Sequence, residues 1–251
     1  MSTIFGGISV ETPKFTVLKQ FAGVKGAELR KYAPQVRAEV LYDSAPNDAI
    51  MNNLNSPFRV LAGYIFGGNT SRTGEASEKV EMTAPVVMQK GAADSQKIAM
   101  TAPVVMQTGP TPTPTTSTSP ATAPSPDAAS STPSPASGSD PNPPPAPAPG
   151  TQRVMSFIMP SKYSSVADLP LPKDARVKLI EVPERSYAAV TFRGSMSQQV
   201  AASREAELRS AAEREGVRLS DDPNAVQYCS YNPPWCLPWL RTNDILIPVA
   251  E

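Results

Sequence analysis

A proline-rich segment limits how much of this chain can fold. Thr108–Gly150 holds 14 of the 29 prolines, and its only other apolar side chains are those of alanine. Such a segment buries too little apolar surface to offset the entropy lost when it becomes ordered. We therefore predict a disordered insert over residues 108–150. The other residues, about 208 of 251, suffice for one substantial core or two small halves.

The insert has two interpretations. Alternation of proline with alanine or threonine favours extended polyproline II, which suits a surface loop or linker. Prolines three residues apart, such as Pro141 and Pro144, also suit a partner that recognises proline-rich strands. Because no Arg or Lys lies beside these prolines to strengthen such recognition, a Pro-recognising protein partner ranks second to a surface loop or linker.

The chain contains no histidine. This absence excludes Ser-His-Asp and Cys-His catalytic sites, and it excludes zinc, copper or heme iron held by a histidine of this chain. It also removes the side chain whose charge most easily changes near neutral pH.

Charge and cysteine content indicate the class of partner and the compartment. The 23 basic side chains equal the 23 acidic ones without forming a basic stripe, so we expect no nucleic-acid partner. No apolar run approaches the roughly 18 to 20 residues of a membrane span, and residues 1–14 do not resemble a secretory signal. Two cysteines favour a reducing compartment. We expect a soluble cytoplasmic protein, with a plastid location as the alternative.

One sequence occurs twice. Lys79–Gln89 and Lys97–Gln107 share nine of eleven residues, including Met-Thr-Ala-Pro-Val-Val-Met-Gln. Two copies are too few for a solenoid, which needs at least three repeats. Each copy is typical of a β-strand. We expect the second copy to lie in the sheet and the first copy to lie in an enlarged loop.

Hydrophobic periodicity predicts two halves of similar layout. The first has strands at Thr12–Phe21 and Glu28–Leu41 and a helix at Asp48–Phe66, kinked or divided at Pro57. The elements of the second half are Val154–Met159, Ala175–Val182, Arg185–Phe192, a helix at Ser197–Glu215, Ala225–Ser230 and Asp244–Val249. The residues that follow Glu28 align with those that follow Ile180. We therefore predict pseudo-twofold halves within one α+β domain.

Four motifs occur in the order typical of one family. They are Tyr64-Ile-Phe-Gly-Gly-Asn69, Lys97-Ile-Ala-Met-Thr-Ala-Pro-Val, Phe157-Ile-Met-Pro-Ser-Lys-Tyr163 and Tyr231-Asn-Pro-Pro-Trp-Cys-Leu-Pro-Trp-Leu-Arg-Thr-Asn-Asp244. Together they resemble the SOUL heme-binding protein family over residues 12–249, apart from the insert. The resemblance implies one domain with a SOUL/GyrI-like fold, in which residues 12–107 and 151–249 form the two halves. That fold is a distorted antiparallel β-barrel with two helices.

The resemblance also implies non-covalent binding of heme or other tetrapyrroles, and it implies no catalytic or metal-ligating residues. The pocket would lie between the first helix and the loop before the last strand. Arg59 and Arg241 would pair with the propionates of the ring, and apolar side chains would cover its faces. The candidate ligand-binding residues are Met51, Leu54, Phe58, Arg59, Leu61, Tyr64, Ile65, Tyr231, Trp235 and Arg241.

Several of these residues have simpler explanations. An amphipathic helix buries one face in any case, Arg59 suits a solvated surface, and Asn-Pro-Pro-Trp suits a rigid turn. Without histidine, the candidate iron ligands are Met, Tyr and Cys thiolate. We expect a weak axial ligand or none.

Two other functions compete with tetrapyrrole binding. One is a GyrI-like hydrolase of small molecules, in which a buried Glu acts as a general base beside a Tyr. The other is an interaction protein that recruits partners through the proline-rich insert.

Overall fold

The computed structural model describes residues 6–44, 53–74, 76–90, 151–233 and 235–250, and all of them belong to one compact unit. Eleven strands occur in this part of the chain: β1 Phe15–Gln20, β2 Ala27–Tyr32, β3 Gln35–Ser44, β4 Asn69–Thr70, β5 Val86–Lys90, β6 Thr151–Ile158, β7 Leu171–Pro172, β8 Lys178–Val182, β9 Arg185–Arg193, β10 Gln227–Ser230 and β11 Thr242–Pro248. The two helices are α1, Asn55–Ile65, and α2, Gln198–Arg214. Neither of these helices is both long and apolar enough to cross a membrane.

Nine strands form one antiparallel sheet in the order β1-β2-β9-β11-β10-β5-β6-β3-β8. The sheet curls into a half-barrel, and α1 and α2 pack against it. The short strands β4 and β7 form a separate pair. The predicted α+β fold, an antiparallel curled sheet with two helices, is confirmed.

The topology repeats itself about the boundary between β10 and β5. The run β9-β11-β10 on one side mirrors β3-β6-β5 on the other. Each run carries one helix, since α1 follows β3 and α2 follows β9. The strands that precede β3 and β9 in the chain each pair with the opposite half. β2, which precedes β3, pairs with β9, and β8, which precedes β9, pairs with β3. This exchange corresponds to the predicted alignment of the two halves.

Side chains alternate between two buried layers along the sheet. The helix face carries the larger cluster, which includes Val190, Tyr228 and Ile245. Their neighbours Ala189, Cys229 and Leu246 point to the opposite face and form a second cluster. Because the sheet curls, the face without helices is also largely buried, and polar side chains placed there must find partners within the protein.

Helix α1 begins at Asn55 and continues through Pro57 without a break, whereas the predicted helical residues on the other side of the expected kink or division lie largely outside the described residues. Pro57 is the third helical residue, and the amides of the first helical turn have no partner within the helix. The missing N–H of proline therefore removes no helical hydrogen bond there. The part of the predicted helix before residue 53 lies outside the described residues, as does the predicted insert at 108–150.

The second predicted helix agrees closely with α2. The Ser197 side chain accepts a hydrogen bond from the Val200 amide at 3.2 Å and caps the helix. By contrast, the single strand predicted at Glu28–Leu41 is two strands, β2 and β3. Ala33 and Pro34 separate them, because a proline cannot donate to a sheet ladder.

The first copy of the repeated sequence occupies the sheet, which corrects the prediction that the second copy would do so. Val86–Lys90 of the first copy is β5, paired with β10 on one side and β6 on the other. The second copy lies outside the described residues. Nine identities in eleven residues leave the sequence almost nothing with which to distinguish the copies.

Candidate functional site

The predicted ligand-binding residues of α1 form part of the core. Leu61, Tyr64 and Ile65 are buried on the helix face of the sheet. Tyr64 donates a hydrogen bond from its hydroxyl to the Pro170 carbonyl at 2.9 Å. The pKa of Tyr64 is raised above its ordinary value, mainly because the side chain is buried. These three side chains therefore stabilise the fold, as any amphipathic helix face does.

Four further predicted residues belong to the same segment of the chain. Leu54 and Phe58 are half-buried against the core, and the Phe58 ring meets Phe157 edge-on, with ring centres 5.3 Å apart. Arg59 is exposed on the outer side of α1. Met51 lies outside the described residues. Among the described residues of the α1 group, Leu54, Phe58 and Arg59 therefore have surface to offer a ligand.

Tyr231 lies on the other side of the sheet. Its ring packs against the second cluster, and its hydroxyl donates to Asp244 Oδ2 at 2.7 Å. Burial, followed by the charge of Asp244, raises the pKa of Tyr231. The Tyr231 ring and the buried side chains of α1 are thus on opposite faces, and they do not line one groove. Their assignment as ligand contacts stays a prediction.

Tyr231 belongs to a buried polar cluster that the sequence analysis missed. Arg30 donates through Nη1 to Asp244 Oδ2 at 2.8 Å, and the two side chains are only 6% and 2% exposed. Arg30 also donates to Glu28 Oε2 at 2.8 Å and to Thr191 Oγ1 at 2.7 Å. Alternation along β2 assigns Arg30 to a polar face, which is usually exposed. Nothing local to the sequence signals that this face is enclosed.

The loop between β10 and β11 presents the most exposed aromatic rings of the described chain. Trp235 is 67% exposed and Trp239 is 65% exposed, and they are the only two tryptophans in the sequence. Trp235 is among the predicted ligand residues, whereas Trp239 is not, although it lies in the same motif. The repeated Trp four residues apart is the signal that could have revealed it.

This tryptophan loop, residues 231–241, is anchored to the fold beneath it. Asn232 accepts a hydrogen bond from the Thr242 amide at 2.6 Å through its side-chain oxygen. Arg241 donates from Nε to the Cys236 carbonyl at 3.1 Å, and Cys236 is buried. These bonds order the loop without covering its two tryptophans. The rings are therefore presented to solvent on a preorganised support.

Two of the concave surfaces formed by the described residues are well defined, and neither contains a predicted ligand residue. A cleft of about 970 Å³ lies at the end of α2, where its charged lining includes Arg185, Arg209, Glu213 and Arg218. A smaller pocket of about 220 Å³ lies beside the turn between β2 and β3. A flat apolar ring does not match the charged lining of the larger cleft.

Several of the side chains that could ligate iron are buried. Both cysteines are buried, and burial raises the pKa of Cys229, which disfavours the thiolate that ligates iron. Met88 and Met155 are also fully buried, whereas Met82 is 39% exposed. No group of three or more His, Cys, Asp or Glu residues in the described segments could hold a metal ion.

Glu39 of β3 is a largely buried carboxyl on the face without helices. It accepts a hydrogen bond from Ser156 Oγ at 2.8 Å. Burial raises the pKa of Glu39, against opposing contributions from that hydrogen bond and from Arg37 and Lys178. A general base in a hydrolase needs a raised pKa of this kind. Neither of the two concave surfaces is lined by Glu39, however.

The raised pKa of Glu39 predicts a particular pH dependence of stability. The folded state binds this proton more tightly than the unfolded state does, so ionisation of Glu39 costs stability as the pH rises from the ordinary carboxyl range through the folded pKa. E39Q is expected to remove that loss and to raise the free energy of unfolding at pH 8 relative to that at pH 4. Urea unfolding of both proteins between these pH values measures the difference. Glu213→Gln, at an exposed position of α2, serves as control, and an equal pH slope in wild type and E39Q would contradict the prediction.

Comparison with known proteins agrees with this architecture. The family model described as SOUL heme-binding protein matches residues 10–95 and 89–248. No curated protein sequence matches the chain. A hydrolase from Listeria innocua has 12% sequence identity and a TM-score of 0.50, with 91% of this chain and 94% of that chain covered. An uncharacterized conserved protein from the same organism has a TM-score of 0.51 at the same identity and coverage. At this identity the two structures show a shared fold alone.

The family match confirms the resemblance carried by the four motifs, since it extends over both halves of the domain. The match, the curled antiparallel sheet and the two helices agree with one another. The chain belongs to the SOUL heme-binding protein family.

Proposed function

We propose that the protein binds heme and other tetrapyrroles non-covalently, as a carrier, buffer or sensor, with the ring lying against the tryptophan loop. The exposure of Trp235 and Trp239 on an anchored loop carries this proposal. Large exposed aromatic surfaces on an otherwise folded protein generally mark a binding site. A flat conjugated ring is the ligand that two such side chains suit best.

Charge at the edge of the loop supports the same ligand. Arg241 ends the loop, is half-buried, and donates from Nε to the Cys236 carbonyl within the same loop. A guanidinium and a propionate form charge-assisted hydrogen bonds, each contributing about 1.5–3 kcal/mol. Arg59, exposed on α1, is the other predicted partner for a propionate. Iron would contribute its redox and ligand-binding chemistry, whereas this chain supplies contact and charge.

Comparing heme with metal-free protoporphyrin tests the proposal. Because ring contact and propionate pairing are common to both, we expect the two dissociation constants to agree within about tenfold, at about 1 μM or tighter, which corresponds to about −8 kcal/mol. Soret absorbance reports heme binding, and quenching of protein fluorescence reports both ligands. Absence of binding by both rings would refute the function. Binding of heme more than 100-fold tighter than protoporphyrin would refute binding without a strong axial ligand.

A small-molecule hydrolase is the second candidate, and a specific observation favours it. Glu39 is a largely buried carboxyl with a raised pKa, and a protein of the same fold from Listeria innocua is described as a hydrolase. Against this, Glu39 is already engaged by Ser156, and neither concave surface described above is lined by it. Tetrapyrrole binding therefore has the stronger support.

A further inference from the structure

The sheet position of β5 is filled by a sequence that recurs 18 residues later. Ser77–Gln89 and Ser95–Gln107 are identical at ten of thirteen positions. A strand at this position must satisfy two ladders, because β10 and β6 flank it on either side. The contacts made by the first copy therefore define what any occupant of this position has to supply.

All the side chains of the first copy that enter the two buried layers from β5 recur in the second copy. Val87 is buried in the cluster opposite the helices, and Met88 is buried in the cluster beneath them. Their counterparts are Val105 and Met106. The ladder bonds themselves come from the backbone and are indifferent to side-chain identity. The second copy thus matches both the alternation and the volume of β5.

The anchors that precede β5 also recur. The Val80 amide donates to the Ile65 carbonyl at 2.8 Å, and the Ala84 amide donates to the Glu11 carbonyl at 2.9 Å. Both bonds use backbone donors. The hydroxyl of Thr83 donates to the Ile158 carbonyl, and Thr101 is its counterpart in the second copy.

Three positions differ, and each difference is tolerable. Tyr163 donates to Glu78 Oε1 at 2.8 Å, and the counterpart Gln96 also offers an acceptor oxygen. Ala99 replaces Glu81, whose pairing with Lys162 at 3.7 Å is solvent-exposed. Ile98 adds one methylene at the fully buried position of Val80. Only this last change carries a packing penalty, and it favours the first copy.

We propose that the second copy exchanges with the first, so that the chain folds in two registers 18 residues apart. In the second register, Ser95–Gln107 supplies the strand between β10 and β6. The connection before the strand becomes 18 residues longer, and the connection after it becomes 18 residues shorter. The entropic cost of closing a loop rises only logarithmically with its length. The difference in loop lengths therefore favours the first register over the second by only a few-fold.

The family matches support this inference independently of the contacts. The first match, residues 10–95, contains the first copy, and the second match, residues 89–248, contains the second copy. Each copy thus lies within a stretch that fits the family pattern. The inference does not depend on what the protein binds.

A disulfide at Cys229 tests the exchange directly. Val87 is the register partner of Cys229, and directly opposed residues of antiparallel strands have Cα atoms about 4.5–5.5 Å apart, within disulfide range. V87C refolded with oxidised glutathione is the control and should link to Cys229. V105C should form the corresponding 105–229 link in a minority of monomers, identified by mass spectrometry of digested peptides. Absence of that link, or its presence only between two chains, would overturn the exchange.

A second measurement does not depend on disulfide chemistry. Met88→Asp places a charge in the core only when the first copy is in the sheet. Under exchange, M88D keeps a cooperative thermal transition at a lower temperature, M106D unfolds close to the wild type, and the double variant loses the transition. Loss of the cooperative transition in M88D alone would overturn the proposal.

Discussion

Replacing Asp244 with alanine is expected to lower the free energy of unfolding by about 3–5 kcal/mol. Asp244 is the carboxylate facing Arg30 in the buried cluster, and it also accepts the hydroxyl of Tyr231. Its removal leaves the guanidinium desolvated, with Glu28 as the remaining acid within bonding distance. Urea unfolding followed by circular dichroism measures the change.

A matched exposed pair supplies the control. Lys31 and Glu184 approach within 2.6 Å, but their side chains are 45% and 52% exposed. E184Q should therefore cost at most about 1 kcal/mol, as exposed pairs generally do. The double variant R30A/D244A should be little less stable than D244A, because removing Arg30 also removes the buried charge that D244A leaves without its main partner. If D244A lowers the free energy of unfolding by less than about 1 kcal/mol, the ion pair between Arg30 and Asp244 does not stabilise the fold as expected.

Removing both tryptophans of the loop is expected to weaken binding of heme and protoporphyrin about 100-fold. An aromatic side chain buries about 150–250 Å² at a contact, worth roughly 25 cal/mol per Å². Partial coverage of two rings therefore amounts to about 3 kcal/mol, which is about 100-fold in affinity. Because both side chains are exposed in the free protein, W235A/W239A should unfold at the same temperature as wild type. Soret titration of the variant measures the loss.

Two variants distinguish the loop from the alternative location on α1. Leu18→Ala removes an exposed apolar side chain of β1 and should leave affinity unchanged. R59A/F66A removes an exposed arginine and an exposed ring at α1. If R59A/F66A weakens binding and W235A/W239A does not, the ring lies on the helix, and the proposed position at the loop is wrong.

Local pattern was sufficient for much of the fold. The helix at Ser197–Glu215 differs from α2 by one residue at each end, because a serine cap, an apolar stripe and a final glycine are all local signals. The structural correspondence between the two halves was also predictable, since the residues that follow Glu28 align with those that follow Ile180. The break at Pro34 was missed, although proline is itself a local signal that a strand ends.

The candidate site was only partly predictable. The motif from Tyr231 to Asp244 contains the exposed Trp235, yet three other members of the motif have different roles in the fold. Tyr231 and Asp244 join Arg30 in a buried cluster, while Trp239 is exposed beside Trp235. A motif shows that residues belong together in sequence. Which of them faces solvent depends on how the sheet beneath them curves.

Motifs and composition are properties of the chain alone, so they were sufficient to identify the family and to exclude histidine chemistry. Three other features are visible only in the folded structure: the first copy fills the strand between β10 and β6, the face without helices is buried, and α1 and Tyr231 lie on opposite sides of the sheet. Each of these depends on contacts between residues far apart in sequence. Alternation within a strand assigns a side chain to one of two faces, but only the curl of the sheet determines which faces exclude water.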